Sequence, residues 1–425
     1  MRAAHRLFLG GQSVSLLGDG LALLAVPLLV LQLTHDPFAA GLSAAPRGVG
    51  YLLVGLPAGP IVDRLNPWAV LIGADLVRAA VFMALAILAW LGTATLWAVL
   101  GLAFVAGAAT VFFDAALAVA LKDLFRGEGL LRANSVLETA AQTSRLTGPA
   151  LIAVLAATIG ISASLLINAA TFVVSLLSLL AVYRGAAAGS PRRLPARGGT
   201  VWGLGGDFMD GLRHLGRVRP LLAITVLYTL INLFLAVDTL VVFFAQVTLG
   251  LPLPLVSAVV AAGGAGGVAG ALVAPWLAAR IRPLSLIALG VAVAAGSLLV
   301  MSASTTWWPL LVANGVQIWA VVAVSVVSRT LRQAWTPREL QGRVVTTSRV
   351  LVLTATPIGA AVAGVTTRAF GDDPRPVFAA AGVLIAATIA VAWLTALRAY
   401  ADYDGETDPP DRARRGVSDA AEAGS

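Results

Sequence analysis

Cysteine is absent from this chain of 425 residues, so it has no disulfide framework, thiolate metal site or thiol nucleophile. Its three histidines, His5, His35 and His214, are predicted to lie in termini or loops, without the spacing of metal ligands. No Gly-x-x-x-x-Gly-Lys-Ser/Thr phosphate-binding loop is present, which excludes direct use of ATP by this chain. No Ser/His/Asp arrangement is recognisable either. We therefore expect no enzyme, no cofactor and no metal.

Charge is also scarce, and apolar sequence takes its place. Charged residues make up 12% of the chain and hydrophobic residues 59%, with a mean hydropathy of +0.89. The apolar runs are about 18 to 25 residues long, which suits membrane-spanning helices and is too long for barrel strands. Backbone groups in lipid must be paired within the chain. The sequence thus predicts an all-α membrane protein, whose first helix has no Ala-x-Ala cleavage site and is retained.

Twelve transmembrane helices are predicted, in two pseudo-symmetric six-helix bundles. The spans lie near 7–33, 38–62, 68–91, 96–121, 135–158, 160–183, 220–245, 255–279, 283–304, 307–332, 345–368 and 375–398. The predicted regions are an N-terminal bundle at 1–183, a cytoplasmic linker at 184–219, a C-terminal bundle at 220–398 and a disordered cytoplasmic tail at 399–425. The linker includes an amphipathic piece, Trp202 to Leu215, that can lie along the membrane interface.

The net charge of +8 follows membrane orientation rather than nucleic-acid binding. About 22 of the 29 Lys and Arg fall in segments assigned to the cytoplasm, as the positive-inside rule requires. An even number of spans places both termini on that side. We expect a multi-pass protein of the plasma (inner) membrane with no nucleic-acid partner.

The two halves resemble copies offset by roughly 210 residues, an arrangement typical of transporters with a substrate path between the halves. The matching positions are Gly55 with Gly266, Gly59 with Gly270, and Gly148-Pro149 with Pro357-Ile-Gly359. Small residues spaced in this way let neighbouring helices approach closely, so we assign Gly148, Pro149, Gly266 and Gly270 to helix packing and rocking. The pair Asp63-Arg64 is not duplicated, because Ala274-Pro275 occupies its place.

One short motif points to a family. Gly59-x-x-x-Asp63-Arg64, between spans 2 and 3, resembles the signature loop of the major facilitator superfamily. Asn66-Pro67-Trp68 replaces the Gly and basic residues that usually complete that signature. The resemblance implies secondary active transport by alternating access.

Four further motifs are similar to the branch of this family that contains macrolide-efflux proteins and enterobactin exporters. They are Gly18-Asp19-Gly20, Ala74-Asp75-Leu-Val-Arg78, Phe113-Asp114-Ala and Leu131-Arg132-Ala-Asn134. This branch implies proton-coupled export of a hydrophobic or amphipathic small molecule, such as a drug, macrolide-like or siderophore-like compound. Its partners would be that substrate, protons and the lipid bilayer, and the protein is expected to be a monomer. The alternatives are a lysophospholipid or lipid flippase, and a membrane sensor or scaffold that transports nothing.

Ionisable residues at membrane depth are costly and usually have a function. Asp19 lies roughly 18 Å into span 1 and Arg47 roughly 22 Å into span 2, by the helical rise per residue. Neighbouring helices would allow these two to pair. Such a pair is a permanent ion pair, a proton-coupling device, or a contact for a charged substrate.

A second group of charges is predicted near the cytoplasmic surface. Asp75 and Arg78 are three residues apart on one helix face. With Asp63, Arg64 and Asp114 they would form either a latch that holds the outward-open state or a static cluster that stabilises insertion.

The remaining polar residues leave alternatives open. Arg145 is expected to face a cavity, and Glu138 to be structural. Asp238 is the counter-charge for a cationic substrate or lies near the outer mouth, and Arg349 is expected at an interface or in the latch. A final group of amides either forms interhelical hydrogen bonds or lines a cavity: Asn168, Asn232, Asn314 and Gln317.

Overall fold

The structure, a computed structural model, describes residues 2–35, 45–187, 219–337 and 340–400. Within these ranges the long helices number twelve, all close to the predicted spans. They are α1 (Arg2–Thr34), α2 (Ala45–Arg64), α3 (Pro67–Trp90), α4 (Leu96–Leu124), α5 (Glu128–Ile159), α6 (Ile161–Ala187), α7 (Arg219–Leu235), α8 (Leu253–Ala278), α9 (Pro283–Ser302), α10 (Trp307–Trp335), α11 (Gln341–Ala369) and α12 (Arg375–Ala392).

Two of these helices are irregular at one end. After α7 the chain continues through a 3-10 turn (Ala236–Leu240), one turn of α-helix (Val241–Phe243) and a π turn (Phe244–Thr248). After α12 a π turn (Trp393–Leu397) and a 3-10 turn (Arg398–Tyr400) follow. A change of helical pitch redirects side chains and alters the backbone hydrogen bonds, and π turns are often found at functional sites.

The turn between α2 and α3 shows why the family's usual sequence is not needed to start a helix there. The side chain of Asn66 accepts a hydrogen bond from the backbone N–H of Trp68 at 3.0 Å, which caps α3. Pro67 occupies the first helical position, where its missing N–H costs nothing. The three residues that replace the basic part of the signature, Asn66-Pro67-Trp68, therefore end the loop and start the next helix.

Ten of the helical stretches within the described ranges are long and apolar enough to cross a membrane. The other two are α2 and α5. Two internal prolines and the terminal Asp63 and Arg64 lower the apolar character of α2. Charged residues along α5, from Glu128 to Arg145, do the same there. The predicted helical membrane fold is confirmed.

Helix pairing repeats in the two halves of the sequence. In the first half α3 packs on α6, α1 on α6, α2 on α4, and α3 on α4. In the second half α9 packs on α12, α7 on α12, α8 on α10, and α9 on α10. Each pair of the second set is a pair of the first set advanced by six helices, as expected for a duplicated bundle.

Each set has its own apolar core. The first core contains Leu29, Leu85 and Phe172, and the second contains Phe244 and Phe378. The rings of Phe82 and Phe172 stack in the first, with centroids 5.6 Å apart. The rings of Phe244 and Phe378 meet in the second at the same separation.

The chain forms two compact units, and each unit contains a short segment from the other half of the sequence. Unit 1 comprises 1–125, 136–210 and 338–350, and unit 2 comprises 126–135, 211–337 and 351–425. The first turns of α11 thus belong to unit 1, and the first turns of α5 belong to unit 2. Both helices begin several residues before the predicted spans because these polar turns continue the helix beyond the apolar run.

Some predictions fall outside the described residues. These are the greater part of the 184–219 linker, its amphipathic piece from Trp202 to Leu215, and almost all of the 399–425 tail. The side chain of Arg47 also lies outside the description, although the backbone of α2 includes it. The predicted domain boundaries and the Asp19–Arg47 pair remain predictions.

Candidate functional site

The carboxylate of Asp63, at the end of α2, binds the beginning of α11 within unit 1. Its Oδ1 accepts a hydrogen bond from the backbone N–H of Gly342 at 2.7 Å, and its Oδ2 accepts one from that of Arg343 at 3.1 Å. The Arg343 Nε lies 3.7 Å from the same Oδ2. The Asp63 side chain is only 2% exposed. Unpaired N–H groups and a positive partial charge at a helix start make it a favourable site for an anion.

Glycines make this approach possible. A Cβ atom on Gly59 would lie 2.7 Å from the carbonyl oxygen of Gly342 and 2.8 Å from the Cα of Arg343. A Cβ on Gly342 would lie 2.6 Å from the carbonyl oxygen of Gly59. Gly55, one turn earlier, lies against Val350. The sequence analysis did not predict a role for Gly342. Its place between Gln341 and Arg343, at the start of a helix after a loop, was the available signal.

A second carboxylate holds α11 further along. The Oδ2 of Asp114, on α4, forms an ion pair with the Arg349 Nη1 at 2.6 Å. The Asp114 side chain is 20% exposed and that of Arg349 is 44% exposed, so water partly screens this pair. Arg64 ends α2 in a half-buried position. Asp63 on α2 and Asp114 on α4 therefore both bind α11.

Arg78 lies at the centre of a buried charge cluster on the inner faces of α1, α3 and α6. It pairs with Asp75, one helical turn earlier, and its Nη1 lies 3.6 Å from the Oδ2 of Asp19. Its guanidinium carbon lies 4.0 Å from the ring centroid of Phe113 and 4.6 Å from that of Phe172. Aromatic faces attract a cation, and the attraction grows when water is excluded.

This cluster corrects the predicted grouping. Asp75 and Arg78 were expected beside Asp63 and Asp114, but Arg78, which pairs with Asp75, has Asp19 as its second ionic partner. Helical rise explains the difference: Arg78 is 11 residues from the first residue of α3, or roughly 16 Å, which is close to the depth of Asp19 in α1.

Polar neighbours extend the cluster. Asp75 also interacts with the hydroxyl of Ser175, which accepts a hydrogen bond from the Gln12 Nε2 at 3.1 Å. Asn168 is fully buried beside Gly18, and neither atom of its amide has a hydrogen-bond partner among the described residues. Gln12 and Ser175 were not predicted as site residues, because a single polar residue in an apolar helix forms no recognisable motif.

Glu138 and Arg145, the charged residues predicted within the fifth span, differ in their surroundings. Glu138 accepts a hydrogen bond from Gln142 at 2.7 Å, on its own helix. Arg145 is exposed in the described structure. Gly148, followed by Pro149 inside α5, lies directly against α1, because a Cβ there would be 2.6 Å from the carbonyl carbon of Gly20.

Unit 2 has its own close helix crossing. A Cβ on Gly266 would lie 2.9 Å from the carbonyl carbon of Gly315, and one on Gly270 would lie 3.0 Å from that of Trp319. The backbones of α8 and α10 therefore touch along this face, as small residues permit.

The beginning of α5 is held in unit 2 by neutral hydrogen bonds. The Asn134 Nδ2 donates to the Gln333 Oε1 at 2.6 Å and to the Thr330 hydroxyl at 3.1 Å, both on α10. The Ser135 hydroxyl donates to the carbonyl oxygen of Ala271 on α8. Asn134 and Ser135 are both buried.

Asp238 lies in the 3-10 turn after α7. Both of its carboxylate oxygens accept hydrogen bonds from the Gln317 Nε2 on α10, at 2.8 and 3.0 Å. Asn314, one turn before, donates to the carbonyl oxygen of Val259 on α8 at 2.8 Å. Gln317 and Asn314 make the predicted interhelical hydrogen bonds, whereas Asn232 donates to the carbonyl oxygen of Tyr228 on its own helix.

Within the described ranges, no group of three or more His, Asp or Glu is arranged to hold a metal ion.

Comparisons with known proteins agree with this geometry. The sequence model of the Major Facilitator Superfamily matches residues 8–327. The multidrug efflux pump Tap of Mycobacterium tuberculosis is 28% identical over 225 residues, which are 50% of this chain and 52% of that protein. Macrolide efflux protein A of Streptococcus pyogenes is 24% identical over 224 residues, 52% of this chain and 53% of that protein. The matches span about half the length of these curated relatives.

Solved structures share the fold over nearly the whole chain. A bacterial homologue of the iron transporter ferroportin, in an outward-facing state, has a TM-score of 0.76 at 17% identity and covers 92% of this chain and 99% of its own. The fucose:proton symporter of Escherichia coli has a TM-score of 0.69 at 14% identity, over 91% of this chain and 98% of its own. With its repeated helix pairing and the carboxylate after α2, the chain belongs to the Major Facilitator Superfamily of membrane transporters.

Proposed function

We propose that this transporter exports a hydrophobic or amphipathic small molecule and that proton entry drives the export. The fold and family make it a multi-pass membrane transporter of small molecules rather than an enzyme. The names of the two relatives, a multidrug and a macrolide efflux protein, support export and this class of cargo. The observation that carries proton coupling is the buried cluster of Asp19, Asp75 and Arg78.

The charge balance of this cluster is one negative unit when both acids are ionised. Two carboxylates face one guanidinium, and Arg78 and Asp75 are almost completely buried. An uncompensated charge away from water is costly, so one added proton leaves the cluster neutral and cheaper to bury. A single proton therefore changes the charge state that unit 1 presents to a substrate.

Asp19 is the acid that we assign to this proton. Its side chain is 22% exposed, whereas Asp75 is fully buried against Arg78 and Ser175. Water can thus reach Asp19 first. Protonated Asp19 is neutral and no longer forms an ion pair with Arg78. The guanidinium of Arg78 stays in place, because two aromatic rings and Asp75 still hold it.

The contacts of Asp63 and Asp114 with α11 complete the proposal. We assign them to a cytoplasmic latch that stabilises the outward-open state and releases α11 during the cycle. This assignment goes with both termini in the cytoplasm, which the distribution of Lys and Arg supports. We also place the protein in the plasma membrane.

Inside-out membrane vesicles test the proposal. Energised vesicles should accumulate erythromycin or ethidium, and a protonophore should abolish the accumulation. Asp19→Asn should lose it as well, whereas Glu128→Gln, which removes one partner of an exposed ion pair with Arg132, should keep it. Accumulation that continues at the same rate with the proton gradient dissipated would rule out proton-driven export.

A further inference from the structure

The break in α7 places a carboxylate beside unused hydrogen-bond acceptors. Asp238 lies where regular helix ends, in the turn Ala236–Leu240. Irregular backbone at membrane depth is tolerated where it is buried in protein or lines a polar cavity. In transporters such breaks commonly lie next to binding sites. Asp238 itself is half-buried.

One amide supplies the hydrogen bonds to this carboxylate among the described residues. The Gln317 Nε2 donates to both oxygens, and no Lys or Arg among the described residues forms an ion pair with Asp238. A carboxylate can accept about four hydrogen bonds. The two hydrogen bonds from this amide therefore leave about half of this capacity, and the negative charge, without a partner among the described residues.

The amide contributes a further acceptor. Gln317 is fully buried, and its Oε1 has no hydrogen-bond partner in the described part of the chain. The orientation of the amide is fixed by Asp238, because the flipped amide would place an oxygen against the carboxylate. Two side chains thus present unused oxygens and no unused donor. The complementary group is positively charged and carries several N–H donors.

We propose that Asp238 and Gln317 form a subsite for the protonated amine of a transported molecule. A primary or secondary ammonium neutralises the carboxylate and donates one N–H to the Gln317 Oε1. This inference deepens the proposed function, because it names the ligand class that unit 2 recognises. A carboxylate or phosphate group is repelled from this site, and a neutral hydroxyl leaves the charge uncompensated.

Three probes with the same alkyl chain test the subsite by binding alone. The purified full-length protein in lipid nanodiscs is titrated with n-octylammonium, n-octyltrimethylammonium and 1-octanol, and empty nanodiscs correct for partitioning into lipid. Octylammonium should bind tightest, since the quaternary ion has no N–H and octanol has no charge. Asp238→Asn should weaken octylammonium binding about tenfold or more, as expected for a charged hydrogen bond, and leave octanol unchanged.

A second variant keeps the test decisive if Asp238→Asn does not give a monodisperse protein. Gln317→Met removes the unused acceptor, so the preference for the primary over the quaternary ion should disappear. Equal binding of all three probes by the wild type would overturn the subsite, as would an unchanged octylammonium affinity in a folded Asp238→Asn variant. Wild-type protein that fails to bind octylammonium but still accumulates erythromycin in a protonophore-sensitive way would refute the subsite alone, whereas accumulation that persists without a proton gradient would refute proton-driven export alone.

Discussion

The first turns of α5 and of α11 occupy equivalent places in the duplicated fold, yet different chemistry holds them. The start of α11 is bound in unit 1 by the carboxylates of Asp63 and Asp114. The start of α5 is bound in unit 2 by the neutral side chains of Asn134 and Ser135. The partners correspond as well, α2 and α4 in one unit and α8 and α10 in the other.

This difference separates the features that the two units share from those that they do not share. Close helix packing is present in both units, at Gly59 in one and at Gly270 in the other. Among the described contacts, carboxylates hold the start of α11, whereas neutral side chains hold the start of α5, and Ala274-Pro275 stands where the first half has Asp63-Arg64. We infer that the α11 contact is the one that a single change of charge can release, while the α5 contact is a neutral support.

The largest effect is expected from a methyl group at the close crossing. Gly59→Ala would place its Cβ against backbone atoms of Gly342 and Arg343, which cannot yield as a side chain can. Overpacking of this kind costs about 1–3 kcal/mol. The α11 contact should be lost, and drug transport with it.

Gly73→Ala is the matched control, since a Cβ at Gly73 meets no atom within 4 Å. Thermal unfolding and vesicle transport are measured for both variants. Equal behaviour of the two would show that α2 and α11 do not need to touch.

The next effect is expected from removing the charge of Asp63. Asp63→Asn weakens its hydrogen bonds to the start of α11, which are worth about 1.5–3 kcal/mol when charged. The chain contains no cysteine, so a single Ser348→Cys reporter on α11 labels specifically with a maleimide. Labelling should accelerate about tenfold or more in the Asp63→Asn background.

The same labelling experiment on α5 should show a smaller acceleration. Asn134→Ala removes neutral hydrogen bonds worth about 0.5–1.5 kcal/mol each, and a buried Ala133→Cys reporter follows the start of α5. We expect a smaller acceleration than for Asp63→Asn. An equal or larger one would show that charge does not distinguish the two contacts.

The smallest effect in this series is expected at Asp114. Its pair with Arg349 is partly exposed, and pairs of this kind contribute about 0.2–1 kcal/mol. Asp114→Asn should therefore accelerate Ser348→Cys labelling by about two- to fivefold, and high salt should reduce the difference. A change as large as that of Asp63→Asn would mean that Arg349, rather than the helix start, anchors α11.

Much of the fold followed from the sequence, because apolar length and glycine spacing are local signals. Helices α3 and α9 begin within a residue of their predicted spans. The partners of buried charged residues were harder to predict, because they depend on which helix faces lie against each other. For that reason Arg78 was correctly grouped with Asp75 but wrongly grouped with Asp63 and Asp114, and Asn134 was noticed only as part of a motif.

The break in α7 was also missed, because Asp238 is the one charged residue in 236–248 and the predicted span of 220–245 treats this stretch as continuous helix. No local pattern marks such a change of pitch. It depends on the packing of α7 against its neighbours rather than on its own composition.

The most direct test of the central claim separates exchange of substrate from its proton-driven accumulation. Proteoliposomes containing the Asp19→Asn variant are measured twice with labelled erythromycin, once for exchange at equal pH and once for uptake driven by a pH gradient. The account predicts that exchange continues and that driven uptake is lost, while the wild type performs both. Driven uptake at the wild-type level in a folded Asp19→Asn protein would contradict it.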